Sequence, residues 1–171
     1  GKLDILLDGW YGADPALLVF KNTGSVFTQT QAFEGLDAAS LAWGDYNNDG
    51  FLDILVSGFA AAGRPLYLFT NNGNGGFTGP VDPTAGVGGF SDADAVFVDL
   101  NNDGLLDIVA MGLSGGANAQ LRAYRNNGGP GFTFTAFDIP GAINLGFRNG
   151  ALAAGDSNND GLPDIGVIGL R

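Results

Sequence analysis

The sequence predicts an all-β chain built from repeated four-stranded antiparallel units, and three observations carry that prediction. First, a nine-residue pattern, D-x-N-x-D-G-x-x-D, occurs three times, at Asp45–Asp53, Asp99–Asp107 and Asp156–Asp164. Second, each copy runs into a short apolar stretch: Ile54-Leu55-Val56, Ile108-Val109-Ala110 and Ile165-Gly166-Val167. Third, no window holds apolar residues at i, i+3, i+4 and i+7 between helix caps; short β-rich runs between Gly and Asn clusters dominate.

The chain opens on the tail of a fourth copy, Gly1-Lys2-Leu3-Asp4 followed by Ile5-Leu6-Leu7. Aligned on the loop glycines Gly1, Gly50, Gly104 and Gly161, the repeats are 49, 54 and 57 residues long. That length suits a four-stranded propeller blade better than a helical repeat. The expected division of one propeller segment, 1–171, is into units of about 1–49, 50–103 and 104–160, with 161–171 starting another. Because it opens inside a motif, the chain reads as a piece of something longer.

Within each unit the elements follow in a fixed order. The loop leads to a strand ending in glycine: Leu3–Gly9, Leu52–Gly58, Leu106–Gly112 and Pro163–Gly169. A small-residue connection leads to an alternating strand: Leu17–Asn22, Leu66–Asn71 and Leu121–Asn126. Each of these ends in an Asn- and Gly-containing turn, at Asn22-Thr23-Gly24, Asn71-Asn72-Gly73 and Asn126-Asn127-Gly128, residues that tolerate the positive φ of hairpin turns. A Phe-Thr strand follows, at Phe27–Thr30, Phe77-Thr78 and Phe132–Thr135. The strand entering the next loop is Ser40–Gly44, Ala95–Val98 or Ala151–Gly155. Counted this way, the chain holds three strands of one blade, two full blades and two strands of a fourth.

Composition narrows the function. Hydrophobic residues make up 45% of 171, with 13 Phe, 2 Trp and 4 Tyr, which is ample for a core. The formal charge is −11, and nine of the 18 acidic residues lie in the three loops. Three dications would leave about −5, so the acidity reads mainly as ligand charge. Seven scattered Lys and Arg make no nucleic-acid or anionic-membrane footprint. The absence of Cys and His removes disulfides, thiol catalysis and His-based acid–base chemistry from this segment. No run of 18 apolar residues is present, so no membrane span is expected.

The loop chemistry points to a hard cation. Ca²⁺ takes six to eight oxygens, and side chains at positions 1, 3 and 5 of a tight loop can converge on one ion. The expected ligands are Asp45, Asn47, Asp49 and Asp53; Asp99, Asn101, Asp103 and Asp107; and Asp156, Asn158, Asp160 and Asp164. Position 6 turns sharply on glycine, and position 7 offers the carbonyl of Phe51, Leu105 or Leu162. About three ions are expected. Helix-loop-helix calcium sites require an acid at position 12; here Val56, Ala110 and Val167 exclude that reading. The opposing reading, plain Asx-rich turns, is weakened by three copies with the same ligand positions. The N-terminal copy keeps only Asp4 and is expected to hold no site.

The run Ala42-Trp43-Gly44-Asp45-Tyr46-Asn47-Asn48-Asp49-Gly50-Phe51-Leu52-Asp53-Ile54-Leu55-Val56 resembles the FG-GAP, or VCBS-type, repeat of integrin α-subunit propellers and many bacterial surface proteins. The resemblance implies a calcium-bearing β-propeller in which the ion loop joins the innermost strand of a blade to its second strand. Such rings close at about seven blades, whereas this chain encodes about three, an incomplete ring. The expected partners are therefore another copy or the remainder of a longer propeller chain, together with an extracellular protein or glycan ligand. The expected location is secreted or at the cell surface.

Other residues carry competing readings. Trp10 and Tyr11, near Asp14, suit either sugar stacking or packing on a neighbouring blade. Trp43 reads as inter-blade core. Arg64, Arg122, Arg125 and Arg148 suit an anion or plain solvation, and Asp92 with Asp94 an acid–base pair. The leading functional expectation is a non-catalytic, calcium-binding extracellular adhesion or interaction module. Its alternatives are a lectin propeller, a structural subunit of a surface assembly, and a fragment of a calcium-dependent polysaccharide-degrading enzyme.

Overall fold

The computed structural model describes residues 2–84, 88–115, 118–137, 139 and 146–170. Gly1, the glycine of the truncated fourth motif, lies outside the described residues. Thirteen strands are present among the described residues: β1 (Ile5–Tyr11), β2 (Asp14–Asn22), β3 (Phe27–Glu34), β4 (Asp37–Gly44), β5 (Asp53–Phe59), β6 (Leu66–Asn71), β7 (Phe77–Val81), β8 (Ser91–Val98), β9 (Asp107–Leu113), β10 (Ala119–Asn126), β11 (Phe134–Phe137), β12 (Arg148–Gly155) and β13 (Asp164–Leu170). They form four antiparallel sheets, β1-β2-β3, β4-β5-β6-β7, β8-β9-β10-β11 and β12-β13. These are the three, four, four and two strands the repeat predicts. The blades form an open arc.

Blades stack face to face, and each interface is an apolar layer. Leu17, Val19, Ile54, Val56 and Phe69 fill the first, with Trp43 half-buried against it. Leu55, Leu68, Phe90, Ile108 and Tyr124 fill the second, and Val109, Met111, Ala123 and Leu152 the third. Burial of each such large side chain is worth roughly 1.5–3 kcal/mol. The second strand of a middle blade is covered on both faces, so Asp53–Gly58 and Asp107–Gly112 are buried throughout. The same motif in β1 and β13 is covered on one face only. Ile165 and Val167 pack on the third layer, and strand alternation turns Ile168 and Leu170 outward.

The innermost strands β4, β8 and β12 begin three or four residues earlier than the apolar pattern indicates. Each carries a bulge, between Asp37 and Ser40, Ser91 and Asp94, and Arg148 and Ala151. At each bulge one non-glycine residue is left-handed: Ala38, Asp92 and Asn149, all at φ +48°. The bulge re-aims the strand. Asp94 then ties three blades together, accepting from the Ser40 hydroxyl and the Leu152 amide, both at 2.6 Å. Asp94 is thus committed to the fold, and Asp92 to a bulge.

Candidate metal-loop sites

Each motif forms the hairpin connection between an innermost strand and the next, as Gly44 paired with Asp53 shows in the first. The backbone is the same in all three. Position 4 is left-handed at Asn48, Asn102 and Asn159 (φ +56°, +58° and +59°), and position 6 at Gly50, Gly104 and Gly161 (φ +89°, +84° and +86°). A β-carbon at position 6 would strain that conformation, hence the glycine.

The position-1 carboxylate organises the turn. Asp45 accepts from the amides of Asp49 (3.0 Å) and Gly50 (2.8 Å). Asp99 and Asp156 do the same for Asp103 with Gly104 and Asp160 with Gly161. Position 5 accepts the position-7 amide and the position-3 side-chain amide: Asp49 from Phe51 and Asn47, Asp103 from Leu105 and Asn101, Asp160 from Leu162 and Asn158. In the second loop this holds Asp103 below the ordinary carboxylate range, through the Asn101 amide first.

Position 9 behaves differently. Asp53 and Asp107 have no exposed surface. One oxygen of Asp53 accepts the Tyr46 amide at 3.2 Å, the other the Asn71 amide at 2.8 Å. Asp107 repeats this with Leu100 and Asn126. Burial pushes the Asp53 carboxyl up to about 6, the two amides pull it down, and the charges of Asp49 and Asp45 raise it further. Asp107 is raised for the same reasons, with Arg125 opposing. In the last loop Asp164 is exposed and bonds both the hydroxyl and the amide of Ser157, which holds it low. Asp4, the remnant of the fourth motif, keeps half of the staple by accepting the Asn22 amide at 2.7 Å.

The asparagines at the ends of β2, β6 and β10 do more than turn the chain. Besides the backbone bond to position 9, Asn22, Asn71 and Asn126 donate side-chain amides to Leu3, Leu52 and Leu106. Their side-chain oxygens accept from Gly24, Gly73 and Gly128. Asn126 also reaches the carbonyl of Tyr46 in the preceding blade at 2.8 Å.

The donor set in each loop is three carboxylates, one amide oxygen and backbone carbonyls, an all-oxygen set that fits a hard cation such as Ca²⁺. The charge coupling of Asp45 and Asp49 to buried Asp53 fits it too. Among the described residues, no three acidic groups are gathered on one point as they stand; their oxygens are turned onto loop amides.

Of the remaining candidates, Trp10 and Tyr11 stay 64% and 74% exposed and do not enter the inter-blade core. Trp10 donates to Asp37 of the next blade at 3.1 Å. Arg64 bonds the Ser91 hydroxyl and lies over Phe59, Arg122 bonds Gln120, and Arg125 lies over Phe137.

Residues 59–110, which run from the end of β5 through β6, β7, β8 and the second loop into β9, match the FG-GAP-like repeat family. The chain carries an FG-GAP-type repeat. No curated protein and no solved structure matches it. FG-GAP-type repeats belong to β-propeller adhesion and interaction modules that are generally non-catalytic and typically extracellular. Among the described residues, no helix is long and apolar enough to cross a membrane.

Proposed function

We propose that this FG-GAP chain is a calcium-binding, non-catalytic propeller module that serves as an extracellular adhesion or interaction platform. One observation carries the metal reading. Three loops repeat the same backbone and the same oxygen donors, and in two of them the position-9 carboxylate of that set is fully buried. A buried anion beside two more anions is costly, and a dication removes the cost.

Calorimetric titration of metal-free protein with calcium chloride is expected to give about three sites. Asp49→Ala with Asp103→Ala is expected to remove two of them. At a hundredfold excess over Kd, each site adds roughly 2.7 kcal/mol to stability. No heat of binding, or a melting temperature indifferent to chelator, would overturn the reading.

The platform reading also requires a cover for the flanks. Ile5 and Leu7 are partly exposed on the first blade, Ile168 and Leu170 on the last. A second copy or the remainder of a longer propeller supplies that cover, and light scattering at micromolar concentration tests the first of these. A glycan ligand is favoured by one feature, exposed Trp10 and Tyr11 near Asp14; a glycan array without hits in calcium removes it.

A further inference from the structure

Position 4 of the loop supplies no expected ligand, yet it is Asn in all three copies. The Asn48 side-chain amide does not serve its own loop. It donates to the carbonyl of Gly104, in the loop of the next blade, at 2.8 Å. Asn102 repeats the contact with the carbonyl of Gly161, one blade further on. The left-handed backbone at these asparagines is the same in all three loops.

The ends of these ties matter. Asn48 stands between Asn47 and Asp49, and Gly104 between Asp103 and Leu105. All four neighbours are expected ion donors. Each tie therefore joins the ion-facing backbone of one loop to that of the next. We propose that Asn48 and Asn102 are positioning residues that couple calcium loading between adjacent loops. This rests on the calcium-binding reading above. An ion that draws Asp103 and the Leu105 carbonyl inward fixes the Gly104 peptide between them. The tie passes that order to the peptides flanking Asn48, so the neighbouring loop has less freedom to lose when it binds. By linkage the effect is reciprocal. A single exposed hydrogen bond between neutral groups sets the scale, about two- to tenfold in affinity. The middle loop, Asp99–Asp107, both gives a tie and receives one, so its loading affects both neighbours.

The test is calcium titration of the whole chain, by calorimetry and by the amide NMR signals of Gly50, Gly104 and Gly161. Disabling the middle loop with Asp99→Asn and Asp103→Asn is expected to weaken calcium binding in the two outer loops about two- to tenfold. In an Asn48→Gly/Asn102→Gly background, where positive φ is kept and the amide lost, the same change is expected to leave the outer loops unaffected. If that pair fails to fold, Asn48→Asp/Asn102→Asp removes the donor while still tolerating the left-handed backbone. Outer loops whose affinity ignores the middle one overturn the coupling and leave the metal reading standing. Absence of calcium uptake in every loop overturns both. Coupling that persists in the glycine background overturns the role of these asparagines.

Discussion

Asn126→Ala is the sharpest test of how loops and blades are held together, because the same asparagine recurs at position 71 with fewer partners. The Asn126 side chain is 1% exposed. It donates to Tyr46 in the preceding blade (2.8 Å) and to Leu106 (3.2 Å), and accepts from the Gly128 amide (3.0 Å). Truncation removes three hydrogen bonds at about 1 kcal/mol each, and it strands the Tyr46 carbonyl where water is excluded. The expected loss is about 3–4 kcal/mol. Asn71→Ala removes bonds to Leu52 and Gly73 at exposed positions that water can reach. Its expected loss is about 1 kcal/mol. Urea denaturation in excess calcium, comparing midpoints at equal slope, separates the two. Thermal melts are expected to fall by about 6–16 °C for Asn126→Ala against about 2–4 °C for Asn71→Ala. Equal losses in the two variants, or a loss below about 1 kcal/mol for Asn126→Ala, would refute the claim that this residue clamps two blades.

Three further substitutions probe the blade junctions. Burial pushes the Asp8 carboxyl from 3.8 up to about 6, against the pull of the Leu36 amide, with Asp37 adding repulsion. A raised folded value means the contribution is fully present below the unfolded pKa and lost as pH rises through about 6, so ionised Asp8 is a liability at neutral pH. Asp8→Asn, which keeps an acceptor for Leu36, is expected to stabilise by about 1 kcal/mol at pH 7.5 after discounting for solvent, and by nothing below about pH 4; parallel pH–stability curves for the two proteins would contradict this. Ala38→Gly relieves a left-handed alanine at φ +48° and is expected to gain about 0.5–1 kcal/mol in urea melts, with Asn149→Gly gaining less because Asn tolerates that region; a loss at position 38 would contradict it.

Strand number, sheet assignment and loop placement were legible because they rest on local chemistry: period-two apolar runs, Asn-Gly turns, and a glycine where φ must be positive. The bulges were not. Ala38, Asp92 and Asn149 share one backbone conformation but have little else in common, so no residue type announces them. The hairpin asparagines were read as turn formers although a second signal was present. Asn22, Asn71 and Asn126 lie 18, 18 and 19 residues after Asp4, Asp53 and Asp107, and that nearly constant offset reflects the amide–carboxylate bond between them. Position-4 Asn recurred without a ligand role for a comparable reason: its partner is in another blade, more than 50 residues away.

The loops assign two duties to the same carboxylates, and their balance bears on what an ion would do. In the first loop Asp45, Asp49 and Asp53 accept six hydrogen bonds, five of them from backbone amides. Bonds to an ionised acceptor are each worth about 1.5–3 kcal/mol, so the turn has its shape without help from a metal. Mutual repulsion survives this arrangement, since Asp45 and Asp49 still raise the buried Asp53 carboxyl. An ion therefore has less to do in folding the loop than in cancelling charge and drawing the acceptors together. Chelation on this argument lowers the melting temperature without abolishing the fold. The loops are thus shaped in advance by their own amides and tied to one another through Asn48 and Asn102.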